Sequence, residues 1–187
     1  MESHKVLKDA GFNVNSFGTG SAVRLPGVSI DKPNVYPFGT PYEQILQDLE
    51  RQDPKLYQNN GLLRMLDRNR KIKKAPQKWQ DNSTRYNFDF VFTCEERCFD
   101  AVCEDLLHKG GNLNKIVHII NVDIKDDDEN AKIGARGILE LAKSFEKASN
   151  NVNERDSKPF EDLIPEILSN WQENHPNLPI LYSPAFY

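Results

Sequence analysis

The sequence has 187 residues, of which 38% are apolar and 28% are charged, and its net charge is −4. This length is enough for one domain with its own core, so we expect a single domain over residues 1–187. The negative charge argues against bulk attraction to nucleic acid, and three clustered cysteines argue against a disulfide framework. Without a long apolar run, neither a membrane span nor a signal peptide is expected, which predicts a cytosolic or nuclear protein.

Hydrophobic periodicity predicts helices and strands that alternate along the chain. A helix at 1–10 and a strand at 12–17 precede residues 22–40, whose prolines and glycines predict a loop. The other predicted elements are helices at 41–50, 54–57 and 61–69, a strand at 88–92, a helix at 95–108, a strand at 115–122, and helices at 129–147 and 159–174. This order favours a doubly wound α/β fold with a parallel sheet, and residues 178–187 are expected to pack against it.

Two charged or polar segments have several interpretations from composition alone. The basic run at residues 68–74 is most simply a solvated face, and an anion site or a nuclear-import signal is the minority interpretation. Residues 148–158 are rich in asparagine, serine and charge, and their composition does not decide whether they are ordered.

Six blocks of residues occur in an order that resembles a known family. They are SFGTG at 16–20, VRLPG at 23–27, DKPNVY at 31–36, NGLLRMLDRN at 60–69, FTCEER at 92–97 and NVDIKD at 121–126. Together they look like the eukaryotic phosphatase of the RNA polymerase II carboxy-terminal domain, a subunit of the cleavage and polyadenylation factor, in its fungal form. The resemblance implies a fold similar to low-molecular-weight tyrosine phosphatases, with extra helices.

The resemblance also implies an activity and partners. The family is nuclear, acts in mRNA 3′-end processing and transcription termination, and removes phosphate from serines five and seven of the YSPTSPS heptad through a phosphocysteine intermediate. It prefers the following proline in cis and uses no metal or other cofactor. The implied partners are the phosphorylated polymerase repeat and a scaffold subunit of the cleavage and polyadenylation factor, without direct nucleic-acid or membrane binding.

By this resemblance, residues of the chain take two roles. Asp126 is the general acid that protonates the leaving serine oxygen, with Asp123 as the alternate. The residues expected to bind substrate form an apolar pocket for the cis proline, bordered by a basic residue; they are Pro26, Tyr57, Leu62, Met65 and the bordering Arg24.

Structural alternatives exist for both groups. The run from Asp126 to Glu129 can simply favour the positive N-terminus of the next helix, and a metal site is a weaker alternative because no histidine accompanies the carboxylates. Without the family, Leu62 and Met65 would be core residues of an amphipathic helix.

The implied catalytic loop, C-x-x-x-x-x-R-S after a first strand, precedes in relatives the segment that matches Met1, so we expect both strand and loop to be missing here. The three cysteines, Cys94, Cys98 and Cys103, do not replace the loop, because the residues six positions later are Asp, Glu and Lys rather than Arg. Buried structural cysteines and a chain inactive on its own are therefore expected. Alternatively, the first helix simply starts the domain.

Three hypotheses about function remain. The first is an N-terminally truncated form of an active phosphatase. The second is a non-catalytic binding module of the cleavage and polyadenylation complex. The third, a receiver-like phosphoacceptor domain, is made remote by the six ordered blocks.

Overall fold

The computed structural model describes residues 1–81, 87–151 and 159–187, and the chain divides into two compact units. Unit 1 comprises Met1 and Asn15–Tyr86, and unit 2 comprises Glu2–Val14 and Asn87–Tyr187. Of the segment whose order the sequence left open, residues 148–151 belong to a helix and residues 152–158 lie outside the described residues. That the whole chain forms one domain stays a prediction.

The described residues form seven helices and five strands. The helices are α1 (Glu2–Asp9), α2 (Tyr42–Gln52), α3 (Pro54–Asn59), α4 (Leu62–Ile72), α5 (Glu96–Lys109), α6 (Asp128–Asn151) and α7 (Phe160–Asn174). The strands are β1 (Val23–Ser29), β2 (Lys32–Tyr36), β3 (Phe90–Thr93), β4 (Ile116–Val122) and β5 (Ile180–Phe186). Every predicted helix is confirmed to within a few residues, because the apolar spacing that predicts each helix also forms its buried face. None of the described helices is long and apolar enough to cross a membrane.

The core of unit 1 is helical. Apolar side chains of α2, α3 and α4 pack together; the buried ones are Tyr42, Ile45, Leu46, Leu49, Tyr57, Leu62, Leu63 and Leu66. Helix α3 begins where its sequence predicts, because the Asp53 carboxylate accepts a hydrogen bond from the Leu56 amide at 3.0 Å and Pro54 occupies the first turn. The three helices together form the core against which the strands of the same unit pack.

The segment predicted as a loop at 22–40 contains the antiparallel hairpin β1–β2. The loop prediction was wrong because proline is tolerated in a two-stranded ribbon, where one edge of each strand needs no partner. Position 27 requires glycine because the backbone of Lys32 approaches it closely: a Cβ at this position would lie 1.7 Å from the Lys32 carbonyl oxygen. The strand predicted at 12–17 is not formed; instead, Gly18 makes an isolated bridge with Lys78.

Unit 2 is built on the sheet β3-β4-β5. Strands β3 and β4 are parallel and joined through α5, as predicted, but β5 pairs antiparallel with β4. The described sheet is therefore mixed, and the prediction of a purely parallel sheet was wrong. Residues 178–187 were expected only to pack against the sheet, but most of them form strand β5, and the alternation of half-buried and exposed side chains along it was not recognised from the sequence.

Helices cover both faces of this sheet. From Val117 onward every residue of β4 is buried, which confirms the two-sided burial predicted from its apolar run. Ile120 and Val122 face a core formed with α1, α6 and α7, and α5 contacts all three strands. Since successive side chains of a strand point to opposite faces, Val117 and Ile119 face α5. This layering leaves the loops that follow β3 and β4 at one edge of the sheet.

Candidate functional site

The carboxyl ends of β3 and β4 are tied together by side-chain and backbone hydrogen bonds. The Thr93 hydroxyl donates to the Asn121 side-chain oxygen at 2.8 Å, and both residues are buried. Beyond the strands, the Ile124 amide donates to the Cys94 carbonyl at 3.1 Å and the Asp123 amide donates to the Pro179 carbonyl at 2.8 Å. The acidic loop after β4 is thus held in place by backbone groups from two neighbouring segments.

Two members of the acidic run have structural roles. The Asp127 carboxylate accepts hydrogen bonds from the Asn130 amide at 2.8 Å and from its side chain at 2.6 Å, which caps the start of α6. These bonds lower the pKa of Asp127. Asp128 forms an exposed ion pair with Lys132 at 2.7 Å. The helix-start interpretation of the run is therefore confirmed for these two residues.

Asp123 and Asp126 differ from Asp127 and Asp128 in their contacts and not in exposure, since all four residues are exposed. Among the described residues neither carboxylate has the capping contact of Asp127 or the ion pair of Asp128. The electrostatic neighbour of Asp126 is Arg97 at the start of α5, whose pKa is raised first by its hydrogen bond to Glu95 and in smaller part by Asp126. Sequence reasoning gave Arg97 no role, although it lies in one of the six family blocks. Asp126 thus lies exposed in the loop after β4 without a capping or ion-pair contact among the described residues, and Arg97 interacts with it only weakly.

The cysteines lack the surroundings of a nucleophile. Cys94 is exposed at the end of β3, so the expectation of buried cysteines was wrong; Cys98 and Cys103 are half-buried. Desolvation by nearby protein atoms raises the pKa of the exposed Cys94 thiol, and burial raises that of Cys103. A reactive thiolate needs the opposite shift, which agrees with the missing arginine six positions later.

Three of the predicted proline-pocket residues come together in unit 1. Tyr57 is 0% exposed and Leu62 is 9% exposed within the helical core, and half-buried Met65 packs against that core. Pro26 and Arg24 are exposed on β1. A surface groove of about 480 Å³ on the same unit has other lining residues, namely Glu50, Pro54, Lys55, Gln58, Asn59 and Leu63. The core interpretation thus fits Tyr57 and Leu62 in this conformation, and the pocket stays a prediction.

A hydrogen-bonded ring connects this group and was missed by sequence reasoning. The Asn34 side-chain nitrogen donates to the Pro26 carbonyl at 3.1 Å and to the Tyr57 hydroxyl at 3.0 Å. The Gln52 side chain donates to the Asn34 side-chain oxygen at 2.9 Å and accepts from the Tyr57 hydroxyl at 3.0 Å. Asn34 lies within the third family block, but no local pattern indicates its partners, because they come from other parts of the chain.

The basic run at residues 68–74 is largely committed to contacts within unit 1. Arg70 pairs with Glu43 at 2.5 Å and with Asp67 at 2.6 Å, and Lys71 also pairs with Asp67. The Lys73 ammonium donates to the Ser16 carbonyl and to the Gln77 side-chain oxygen, and it lies 5.6 Å from the Phe17 ring centre. Burial lowers the pKa of Lys73 to about 8. Exposed Arg70 and Lys71 therefore fit the solvated-face interpretation of the run, whereas half-buried Lys73 does not.

Metal-binding side chains are not grouped in the described part of the chain: no set of three histidine, cysteine or carboxylate residues is placed to hold an ion. Each unit instead carries its own candidate feature: an exposed acidic loop in unit 2 and, separately, a hydrogen-bonded apolar cluster in unit 1. These features define an α/β protein whose candidate chemistry depends on carboxyl groups at the ends of parallel strands.

Comparison with known proteins identifies the family. The model for Ssu72-like proteins matches residues 1–187, and the chain belongs to this family. Over 187 residues it is 63% identical to the RNA polymerase II C-terminal domain phosphatase SSU72 of Eremothecium gossypii and 63% identical to that of Candida glabrata. All of this chain is matched in both; it spans 66% of the E. gossypii protein, just under two thirds, and 90% of the C. glabrata protein.

Solved structures agree with this assignment. A crystal structure of Drosophila melanogaster Ssu72 with Symplekin, bound to a cis peptidomimetic CTD phosphoserine peptide, is 41% identical with a TM-score of 0.86 and covers 100% of this chain and 90% of that one. A second D. melanogaster structure, of the serine phosphatase of the RNA polymerase II CTD, is 42% identical with a TM-score of 0.87, covering 100% of this chain and 92% of that one. These matches confirm the Ssu72-type α/β fold. The likeness to low-molecular-weight tyrosine phosphatases and the missing first strand stay predictions.

Proposed function

We propose that this protein is a phosphatase of the RNA polymerase II carboxy-terminal repeat. The names of its fungal relatives and the phosphopeptide in the fly complex support this substrate. We place it in the nucleus, in mRNA 3′-end processing and transcription termination, where its partner is a Symplekin-type scaffold protein. The Symplekin chain in the fly structure supports the last point.

The proposed chemistry uses Asp126 as the general acid, and one observation carries this assignment. Of the carboxylates from Asp126 to Asp128, only Asp126 is exposed without a capping or pairing role among the described contacts. Its proton passes to the serine oxygen as the bond between that oxygen and phosphorus breaks and the phosphoryl group passes to the cysteine of a Cys-x5-Arg-Ser loop, from which water then releases phosphate. General acids of this kind contribute a factor of roughly 10² to 10⁴ in rate. Asp123 is the alternate acid, nearer the end of β4.

The proposed specificity is for serines five and seven of the heptad, each followed by a proline bound in cis. An apolar pocket that includes Pro26, Tyr57, Leu62 and Met65, bordered by Arg24, suits a compact Ser-Pro turn. Because roughly 10–30% of X–Pro bonds are cis in unfolded peptides, this preference restricts the fraction of substrate that can bind. The cis peptidomimetic bound to the fly relative supports the preference.

The nucleophile is the missing component of this proposal. None of the cysteines in the 187 residues has an arginine six positions later, and desolvation raises the pKa of Cys94. We therefore expect no turnover by these residues alone. The alternative function is a non-catalytic module that binds the repeat and the processing complex.

The two candidates are separated by assays of two proteins. The chain itself is tested with p-nitrophenyl phosphate and with heptad peptides phosphorylated at serine five or seven. A chimaera carries a strand and Cys-x5-Arg-Ser loop from a relative ahead of residue 1. We expect turnover from the chimaera only. Asp126→Asn should lower its kcat by about 10²- to 10⁴-fold, whereas Asp128→Asn, the matched control, should leave kcat near the parent value. Turnover by the unmodified chain, or an inactive but folded chimaera, would contradict the proposal.

A further inference from the structure

Asn34 makes three hydrogen bonds with its side-chain amide. Its nitrogen donates to two acceptors, the Pro26 carbonyl and the Tyr57 hydroxyl, and its oxygen accepts from Gln52. Among side chains of this length, only an amide supplies two N–H donors and an acceptor together. A carboxylate of the same shape has no proton to donate: it would face the Pro26 carbonyl oxygen without a bond, and it would bond the Tyr57 hydroxyl only if that hydroxyl turned its proton away from Gln52.

The ring also determines the orientation of a buried hydroxyl. Tyr57 is 0% exposed, so its hydroxyl depends on protein partners. Its single proton goes to Gln52, which leaves its lone pair to accept from Asn34. The three side chains, from β2, α2 and α3, therefore have complementary donors and acceptors and hold one another in a single arrangement.

The hairpin is seated on the helices through the same residue. Asn34 stands opposite Leu25 in the β1–β2 register, which brings its amide to the carbonyl of the next residue, Pro26. Leu25 and Tyr36 pack against the helical core that contains Tyr57. Apolar contact thus brings the hairpin to the core, and the Asn34 amide links exposed Pro26 to buried Tyr57.

We propose that Asn34 is a positioning residue for the proline pocket: it sets the spacing of Pro26 and Tyr57, and Gln52 orients its amide. This inference rests on the proposed function, in which Pro26 and Tyr57 belong to the proline pocket; because Tyr57 is 0% exposed, it acts as a buried support of the pocket rather than by contact with the substrate. Asn34 itself touches no reacting atom. Its effect is on the discrimination between cis and trans proline, because a pocket of altered width loses its fit to the compact turn before it loses contact with the peptide.

The test measures binding to the 187-residue chain by NMR titration, which reports weak affinities. The probes are two phosphoserine–proline heptad mimics, one locked in cis and one locked in trans. The readout is the ratio of the two affinities, because partial unfolding lowers both affinities equally and leaves the ratio unchanged. We expect the parent chain to favour the cis mimic. Asn34→Asp should reduce that preference by about 5- to 20-fold, the loss of one to two hydrogen bonds. Val35→Ala is the matched control, since that neighbouring side chain is 50% exposed, and should keep the parent ratio.

Two further variants keep the inference testable if Asn34→Asp does not fold. Tyr57→Phe removes the hydroxyl with little change of volume, and Gln52→Met removes the group that orients the amide; each should also reduce the ratio. In the double variant Asn34→Ala/Tyr57→Phe the two effects should be less than additive, since both remove the same bond.

The outcomes separate the two levels of the proposal. A parent preference for cis that folded Asn34→Asp, Tyr57→Phe and Gln52→Met all retain within twofold overturns the positioning role alone. A parent chain that binds both mimics equally, or a chimaera with the relative's loop that binds neither mimic, overturns the pocket assignment together with the role of Asn34.

Discussion

Gly134 packs against Ile124, so the effect of Gly134→Ala on the free energy of unfolding should depend on the residue at position 124. Ile124 is a 9% exposed residue of the loop between Asp123 and Asp126, and a Cβ at Gly134 of α6 would lie 2.2 Å from its Cδ1 atom and 2.6 Å from its Cγ1 atom. Alanine within a helix is favoured over glycine by about 1 kcal/mol. Overpacking a filled site costs roughly 1–3 kcal/mol. Gly134→Ala should therefore lower the free energy of unfolding by up to about 2 kcal/mol.

The reverse is expected once the Ile124 side chain is shortened. Ile124→Ala alone should cost roughly 2–5 kcal/mol, as for other large-to-small core changes. In that background the clash is absent, so adding Gly134→Ala should stabilise by about 1 kcal/mol. The two substitutions are then coupled by about 1–3 kcal/mol, which urea unfolding of the parent, both single variants and the double variant measures directly.

A specific result would refute this reasoning. If Gly134→Ala stabilises the parent chain as much as it stabilises the Ile124→Ala chain, the side chain of Ile124 does not occupy the space beside Gly134. A confirmed clash has a further consequence for the proposed acid. Gly134→Ala should also lower kcat of the chimaera, because displaced Ile124 shifts the backbone between Asp123 and Asp126.

Three other predictions concern charge and capping. Burial lowers the pKa of His118, which contacts the Tyr182 hydroxyl at 3.1 Å. The neutral imidazole therefore contributes stability above the ordinary histidine pKa near 6.5, and this contribution is lost as the pH falls below that value. The melting temperature of His118→Phe should accordingly depend less on pH below 6.5 than that of the parent chain. Burial also lowers the pKa of Lys73 from 10.5 to about 8. Between these values the unfolded chain binds more protons, so stability should rise with pH, on the order of 1 kcal/mol after solvent screening, and Lys73→Met should abolish the rise. Asp127→Ala should lower the free energy of unfolding, measured with urea, by about 0.5–2 kcal/mol because the cap of α6 is lost. Asp126→Ala should change it by less than about 0.5 kcal/mol. Equal losses in the two variants would count against a functional role for Asp126.

Local patterns in the sequence were enough to predict the helices and the acidic loop. The spacing of apolar residues that predicts α2 or α6 is the same spacing that buries one side of the finished helix. Likewise, the apolar run of β4 predicts burial on both faces, and the loop that follows necessarily begins at the carboxyl end of that strand. Such features depend on residues a few positions apart, so one stretch of chain is sufficient to determine them.

Only the tertiary structure decided which residues distant in sequence each strand and side chain contacts. Strand β5 pairs antiparallel with β4, although the residues of β5 alone do not indicate whether the pairing is parallel or antiparallel. Thr93 bonds Asn121, a residue on the neighbouring strand that lies 28 positions away.

The candidate site shows the same division. The sequence by itself determined the family blocks, the carboxylates after β4 and the absence of an arginine six residues after any cysteine. The structure separated Asp127, which caps α6, from exposed Asp126, and it joined Asn34 to Pro26 and Tyr57. The physical reason is that a carboxylate or an amide acquires its role from the donors and acceptors around it, and folding brings those from distant parts of the chain.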